Sequence, residues 1–253
     1  YSNIENNNDF KSYTLYLSIA KSNLEIGNFD KSLTYFLKSY NLNKNNEDLI
    51  ILTYNLYHIL GYFDEAESFL IDASMHTIIQ VLGLDTTDDS IRGTSDRVAK
   101  MWVDELCYGL DYTNFPKCTL FDNKMGFNSM VIQKDITFHS MCEHHFQNVN
   151  GMAQVAYIPN GKVVGLSKLN RIVNFFARRP QVQERLNEQI YYALEYILGT
   201  SDVAVLLEAD HYCVKARGCN DQNSSMTTSR LGGGFFDIAK LRNEFMQLAV
   251  RTR

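Results

Sequence analysis

The sequence has no apolar run long enough to cross a bilayer and no excess of basic residues. Its longest apolar runs, such as residues 203–207, are far shorter than the about 20 residues that a membrane-spanning helix needs. The 24 Lys and Arg residues are outnumbered by 29 Asp and Glu residues, which gives a net charge of −5. We therefore expect no membrane partner and no nucleic-acid partner.

Cysteine is scarce as well, and its five copies cannot all pair in disulfides. An odd count, with at least two thiols better explained as metal ligands, favours a reducing compartment, so we expect a cytoplasmic protein. No signal peptide is visible, but the chain opens on Tyr1 rather than methionine. We expect the native N-terminus to be missing, together with any targeting segment that it carried.

Two cysteines and a histidine have a pattern typical of a metal site. Cys142 and His145 stand three residues apart in a Cys-Glu-His-His run, and Cys213 lies far downstream, two residues after His211. One turn of chain can present a thiolate and an imidazole to the same point, to which Cys213 adds a second thiolate. Three protein ligands leave one tetrahedral position for water, whose pKa zinc lowers to about 7. Because His144 and His211 can transfer protons near neutral pH, the pattern indicates a hydrolytic zinc centre.

The same residues have a simpler interpretation. An isolated Cys-x-x-His pair is a weak signal, and buried cysteines are often small packing residues. Cys219 competes with Cys213 as the third ligand, whereas Cys107 and Cys118 lie in apolar or turn contexts that favour packing. Spacing alone therefore leaves both a metal centre and ordinary packing open.

A basic cluster follows the metal motif. Lys168 and Arg171 would share one face of a helix whose start carries the hydroxyl of Ser167, and Arg217 follows Cys213 closely. Such a helix start suits a polyphosphate, through backbone N–H groups and charge-assisted hydrogen bonds. The alternative is a solvated basic helix face, although the acidic balance of the whole chain makes a local basic cluster more informative.

Gln183 and Glu184 suggest which nucleobase the site would bind. A carboxylate can accept hydrogen bonds from both N1–H and the exocyclic amine of guanine, a pattern that adenine does not offer, and losing such a pair gives strong discrimination. The alternative is an ordinary Gln-Glu-Arg stretch on an exposed helix.

Residues 77–253, roughly two thirds of the chain, resemble the GTP cyclohydrolase I family. The matching motifs occur in the family's order: Asp-Glu-Leu at 104–106, Gly-Leu-Asp-Tyr at 109–112, Asn-Phe-Pro at 114–116, Cys-Glu-His-His at 142–145, Val-Ala-Tyr-Ile-Pro at 155–159, Gly-Leu-Ser-Lys at 165–168, Gln-Glu-Arg at 183–185, His-Tyr-Cys-Val-Lys-Ala-Arg-Gly at 211–218, Thr-Thr-Ser at 227–229 and Leu-Gly-Gly at 231–233. The chain departs from the family pattern at Ser95, at Asp210 and at residues 146–148, none of which is a candidate ligand.

The resemblance implies a role for each candidate residue. Zinc would be held by Cys142, His145 and Cys213, and protons would be moved by His144 and His211, with Ser167 as a further catalytic candidate. GTP would be bound by Gln183 and Glu184 at guanine, by Ser167, Lys168, Arg171 and Arg217 at the triphosphate, and by Arg97 and Lys100 from a neighbouring subunit. The implied reaction converts GTP to 7,8-dihydroneopterin triphosphate and formate, the first step of folate or tetrahydropterin biosynthesis. No organic cofactor is implied.

The residues before this region form a different pattern. Gly-Asn-Phe-Asp at 27–30 recurs as Gly-Tyr-Phe-Asp at 61–64, which is 34 residues later and matches the period of a tetratricopeptide repeat. We expect a helical extension over residues 1–73, resembling two degenerate repeats that could bind a protein partner, and a catalytic domain over residues 74–253. The alternative is a helical arm that packs on its own catalytic core.

Hydrophobic periodicity predicts an α+β catalytic domain with an antiparallel sheet, preceded by an all-α extension. Strands are predicted at 130–138 and 151–158, flanking the metal turn, and helices at 166–176 and 181–198. A hairpin of strands is predicted from 203–207 and 212–217. The triple glycine at 232–234 lacks the Lys of a phosphate-binding loop and indicates a tight backbone passage. The resemblance implies the tunnelling fold, with helices on one side of the sheet and a barrel closed by assembly into a homodecamer of two pentamers.

Two other functions remain open. One is a zinc enzyme of the same fold that acts on another pterin or purine. The other is a binding protein whose core is an inactive nucleotide sensor. The guanine pair, the cations for a triphosphate and the complete ligand set argue against both.

Overall fold

The computed structural model describes residues 7–250, which form two compact units divided between Glu105 and Leu106. The first six and last three residues of the predicted domains lie outside the described residues. The predicted domain boundary between residues 73 and 74 falls within a continuous helix and stays a prediction. No helix within 7–250 is both long and apolar enough to span a membrane.

The first unit is helical, as the sequence predicts. Its helices are α1 (Asn7–Glu25), α2 (Phe29–Leu42), α3 (Glu47–Leu60), α4 (Phe63–Val81) and α5 (Thr94–Lys100), followed by a π-helical turn at Met101–Leu106 that reaches the division between the units. Gly27 and Gly61 have φ of +75° and +82° and join α1 to α2 and α3 to α4, which explains why glycine recurs after 34 residues. The repeat in the sequence therefore corresponds to two consecutive helical hairpins.

Each hairpin contributes to one apolar core in this unit. Phe36 of α2, Leu49 and Leu56 of α3 and Phe69 of α4 are all buried there. Tyr40 and Asp72 link the hairpins through a hydrogen bond in which the hydroxyl donates to the carboxylate at 2.9 Å.

The second unit is the α+β domain. After two 3₁₀ turns, its elements are β1 (Leu120–Asp122), β2 (Val131–Cys142), β3 (Asn148–Tyr157), β4 (Lys162–Val164), α6 (Leu166–Ala177), β5 (Pro180–Gln181), α7 (Gln183–Leu198), β6 (Val203–His211), α8 (Tyr212–Lys215), β7 (Met226–Leu231), α9 (Gly233–Asp237) and α10 (Ala239–Ala249). The main sheet has the order β5-β2-β3-β6-β7, and its pairs are antiparallel except for the short parallel pair of β2 and β5. Strands β1 and β4 form a separate pair.

Helices pack on both faces of this sheet. On one face, alternate strand residues such as Phe138, Val155 and Leu207 share a core with Leu169 of α6 and Ile190 of α7. On the other face, a smaller cluster joins the sheet to α9 and α10. The helices expected on one side of the sheet are thus confirmed. In addition, α9 and α10 pack on part of the opposite face.

The predicted strand at 212–217 is wrong. Residues Tyr212–Lys215 form the single helical turn α8, and β6 pairs instead with β7 at Met226–Leu231. A short apolar run such as Tyr-Cys-Val fits either a strand or one helical turn, so periodicity does not decide between them.

The triple glycine is a tight passage, as the sequence predicts. A Cβ on Gly232 would collide with the hydroxyl of Tyr191 and lie 2.7 Å from the carbonyl oxygen of Ser201. Gly233 has φ of +48°, and Asp202 occupies the space that its Cβ would need. This passage joins β7 to α9.

Candidate metal centre and substrate site

The turn between β2 and β3 brings Cys142 and His145 together. Cys142 ends β2, and its N–H donates to the Gln147 carbonyl at 2.8 Å, while the Phe146 N–H donates to the Cys142 carbonyl at 2.8 Å. Phe146 has φ of +52°, a left-handed conformation that few side chains adopt. The closed turn leaves Sγ of Cys142 at 3.8 Å from Nδ1 of His145.

Cys213 reaches the same point from α8. Strands β3 and β6 pair with Val149 opposite His211, so the end of β6 lies beside the start of β3. The donor atoms of Cys142, His145 and Cys213 all lie within 4.8 Å of one another, the one such group found among residues 7–250. Cys219 is exposed and outside this group, so the predicted competition for the third ligand favours Cys213.

This group fits a metal such as zinc. Tetrahedral zinc at its usual bond lengths separates a thiolate sulfur from an imidazole nitrogen by about 3.6 Å, close to the 3.8 Å between Cys142 and His145. Burial, followed by the neighbouring Cys142, raises the pKa of the Cys213 thiol. A bound cation would oppose this effect, because it favours the thiolate forms of both cysteines.

An ion pair that the sequence did not predict holds the metal turn to α7. Arg185 donates to both carboxylate oxygens of Glu143, from Nη1 at 2.5 Å and from Nη2 at 3.3 Å. Gln181 adds two contacts, because its carbonyl accepts from the Glu143 N–H at 3.2 Å and its side chain accepts from Arg185 at 3.3 Å. Glu143 and Arg185 are 42 residues apart in the sequence. Both lie in motifs that the chain shares with the family it resembles, and the sequence gives no other indication that they pair.

The two candidate proton carriers have different environments. His144 is exposed, with Nδ1 at 3.9 Å from Sγ of Cys142. His211 is half-buried, and this burial lowers its pKa against the opposing effects of Glu184 and Asp210. Asp210 itself forms an ion pair with Lys215 at 2.8 Å.

The structure gives different surroundings to the two residues expected at guanine. Glu184 is exposed in the first turn of α7, where its carboxylate can meet a ligand. Gln183 is only 3% exposed, and its side chain hydrogen-bonds within the protein. The contact of Gln183 with guanine stays a prediction.

The candidate triphosphate residues of the second unit lie on α6 and just beyond α8. Ser167 and Lys168 stand in the first turn of α6, with Arg171 one turn later, and α6 packs against β2. Ser167 and Arg171 are exposed. Arg217 is also exposed and lies just beyond α8, the helical turn that carries Cys213.

Arg97 and Lys100 lie on α5, in the first unit, and both are exposed. Lys100 forms an ion pair with Asp96 at 2.9 Å, and Arg97 donates to the Thr94 hydroxyl at 2.8 Å. Their predicted contact with a triphosphate across a subunit interface stays a prediction.

The fold and the site together define a class. An α+β domain that joins two thiols and one imidazole at the end of its sheet, with further histidines beside them, is an arrangement suited to metal-dependent hydrolysis.

Comparison with known proteins gives the family. The model of the family described as GTP cyclohydrolase I matches residues 71–250. GTP cyclohydrolase 1 of Escherichia coli (strain K12 / DH10B) is 55% identical over 188 residues, which cover 74% of this chain and 84% of that protein. The protein of the same name from Shigella boydii serotype 18 matches with the same identity and coverage. The chain belongs to the GTP cyclohydrolase I family, whose membership implies GTP as substrate and an oligomer.

Proposed function

We propose that this chain converts GTP to 7,8-dihydroneopterin triphosphate and formate at a zinc ion held by Cys142, His145 and Cys213. The observation with most weight is that three soft or borderline donors lie within 4.8 Å of one another in a member of this family. This reaction is the first step of folate or tetrahydropterin biosynthesis. It needs no organic cofactor.

The residues around the ligands fit the chemistry of the purine ring. When bound, zinc would supply a water of lowered pKa. His144 and His211 would move protons at purine N7 and at the ribose, and protonation of N7 makes C8 the electrophilic carbon. Two hydrolytic steps at C8 then release that carbon as formate.

Substrate binding would use residues that the structure leaves accessible. Glu184 would accept from N1–H and the exocyclic amine of guanine. Ser167, Lys168, Arg171 and Arg217 would hold the triphosphate through hydrogen bonds and charge. Anchoring at both ends would keep the intermediates in register during the later rearrangement of the ribose.

The assembly belongs to the same proposal. Sheets of several subunits would close into a barrel in a cytoplasmic homodecamer of two pentamers, with Arg97 and Lys100 serving the active site of a neighbour. Mass photometry tests this directly, because ten chains of 29.1 kDa differ clearly from one pentamer.

The helical extension over residues 1–73 would have a separate role. Two hairpins of tetratricopeptide type could bind a protein partner. At least three such repeats are usually needed for a repeat unit to be stable by itself. Their removal would then alter partner binding or assembly while leaving the chemistry of residues 74–253 in place.

The experiment is a turnover assay with GTP that measures formate and the fluorescence of the oxidised pterin. We expect activity in the wild type and in Cys219→Ser, an exposed cysteine near the site, and none in Cys213→Ser. Turnover of another pterin or purine without formate release from GTP would favour a related zinc enzyme. GTP binding without any turnover, in a zinc-loaded oligomer, would favour a nucleotide sensor.

A further inference from the structure

We propose that Gln183 positions His211: its side-chain amide holds the neutral imidazole in the tautomer with the proton on Nε2, leaving Nδ1 as the acceptor. This role differs from the guanine contact that the resemblance implies. It rests on the proposed function only insofar as His211 takes part in the reaction.

The orientation of the Gln183 amide is fixed by its surroundings. Its Nε2 atom faces the carbonyl oxygens of Leu207 at 3.2 Å and Met226 at 3.0 Å, and the hydroxyl of Thr228 at 3.2 Å. Carbonyl oxygens only accept hydrogen bonds, so the end of the amide that faces them must be the NH₂ group. The reversed amide would place its own oxygen against two carbonyl oxygens, which a buried side chain would not tolerate.

This orientation decides the state of His211. The remaining end of the amide, Oε1, lies 2.8 Å from Nε2 of His211. Because an amide oxygen cannot donate, the neutral imidazole must carry its hydrogen on Nε2. The lone pair of the neutral ring is then on Nδ1, on the side away from Gln183.

The amide is held firmly enough to impose this choice. Gln183 is the first residue of α7 and is 3% exposed, and its acceptors lie on β6 and around β7. One turn later, Asn187 is equally buried and donates to the same Thr228 hydroxyl at 3.0 Å. The two amide hydrogens of Gln183 are already shared among three acceptors, which leaves none for a base.

The first test reads the tautomer without any turnover. Raman difference spectroscopy of the imidazole ring, taken between each protein and its His211→Ala counterpart, separates the two neutral tautomers. We expect the Nε2–H form in the wild type. We expect loss of that form in Gln183→Met, which keeps the length of the side chain and removes the acceptor. The Nδ1–H form in the wild type, or an unchanged spectrum in Gln183→Met, would overturn the proposal.

A second test separates positioning from contact with guanine. GTP binding is measured by calorimetry in the His211→Ala background, with and without Gln183→Met. If Gln183 only positions His211, the two proteins should have the same Kd for GTP within about twofold, because the side chain that Gln183 positions is already absent from both. A rise of tenfold or more would show a direct contact and overturn the proposal.

Turnover completes the comparison. With His211 present, Gln183→Met should lower kcat by about 100-fold and leave the KM for GTP nearly unchanged, since loss of a positioned proton carrier is expected to act on the chemical step. A change in KM alone would contradict the proposal. Should the wild type fail to turn over GTP, the proposed function fails while the Raman test still decides the role of Gln183.

Discussion

Replacing Asp72 by Asn should weaken the helical unit in a manner that depends on pH. The carboxylate of Asp72 accepts from the Tyr40 hydroxyl at 2.9 Å and from Nζ of Lys44 at 3.1 Å, and it also receives a hydrogen bond from Ser95. Burial alone would raise its pKa, but these hydrogen bonds and the charge of Lys44 hold the pKa below the ordinary 3.8.

The expected magnitude follows from these contacts. A hydrogen bond to a charged group contributes about 1.5–3 kcal/mol. Asn keeps one acceptor, and the Tyr40 hydroxyl can turn to accept from the new amide, while Lys44 can recover water. We therefore expect Asp72→Asn to reduce the free energy of opening of this unit by about 1–2 kcal/mol at pH 6.

The sign of the pH dependence is set by the lowered pKa. A carboxyl whose folded pKa lies below its unfolded pKa stabilises the fold above the unfolded value and loses that contribution as pH falls through the folded pKa. The difference between wild type and Asp72→Asn should thus shrink below about pH 4.

Hydrogen–deuterium exchange of peptides from α2 and α4 measures this opening in the full chain. Glu67→Gln, an exposed carboxylate on α4, serves as the control and should change nothing. The reasoning is refuted if Asp72→Asn leaves exchange at pH 6 unchanged, or if its effect is as large at pH 3.5 as at pH 6.

Three further predictions concern the second unit. Glu143→Gln should weaken zinc binding about 10- to 100-fold, measured by competition with a chelator, whereas Glu188→Gln on the outer part of α7 should not; equal affinities would exclude a role for the ion pair. Stripping zinc in air should let Cys142 and Cys213 form a disulfide, so that activity returns only with reductant and zinc together; recovery with zinc alone would count against it. Gly232→Ala should cost about 1–3 kcal/mol, seen as a lower Tm, because a hydroxyl fills the space beside it; an unchanged Tm would show that the passage can relax.

Features that depend on residues close in sequence could be predicted from the sequence. The three-residue spacing of Cys142 and His145 is realised by one closed turn, and the glycines at 27 and 61 mark the two helical hairpins. The helix predicted to end at residue 198 does end at Leu198, where Gly199 caps it in the left-handed conformation.

Features that depend on distant residues could not be predicted in this manner. The partners of Gln183 lie 24 to 45 residues further along the chain, and only the pairing of β6 with β7 brings them together. The strand predicted at 212–217 failed for the same reason. The local pattern of these residues fits either a strand or a helical turn. The strand that pairs with β6 is β7, which follows the next loop in the sequence.

The central claim is hydrolysis of GTP at a zinc ion held by two thiolates and one imidazole. Its most direct test is a titration of the metal-free, reduced chain with zinc while formate release from GTP is followed. We predict that activity rises in proportion to bound zinc and reaches a plateau at about one ion per chain. Formate release without metal, or a plateau unaffected by Cys213→Ser, would contradict the claim.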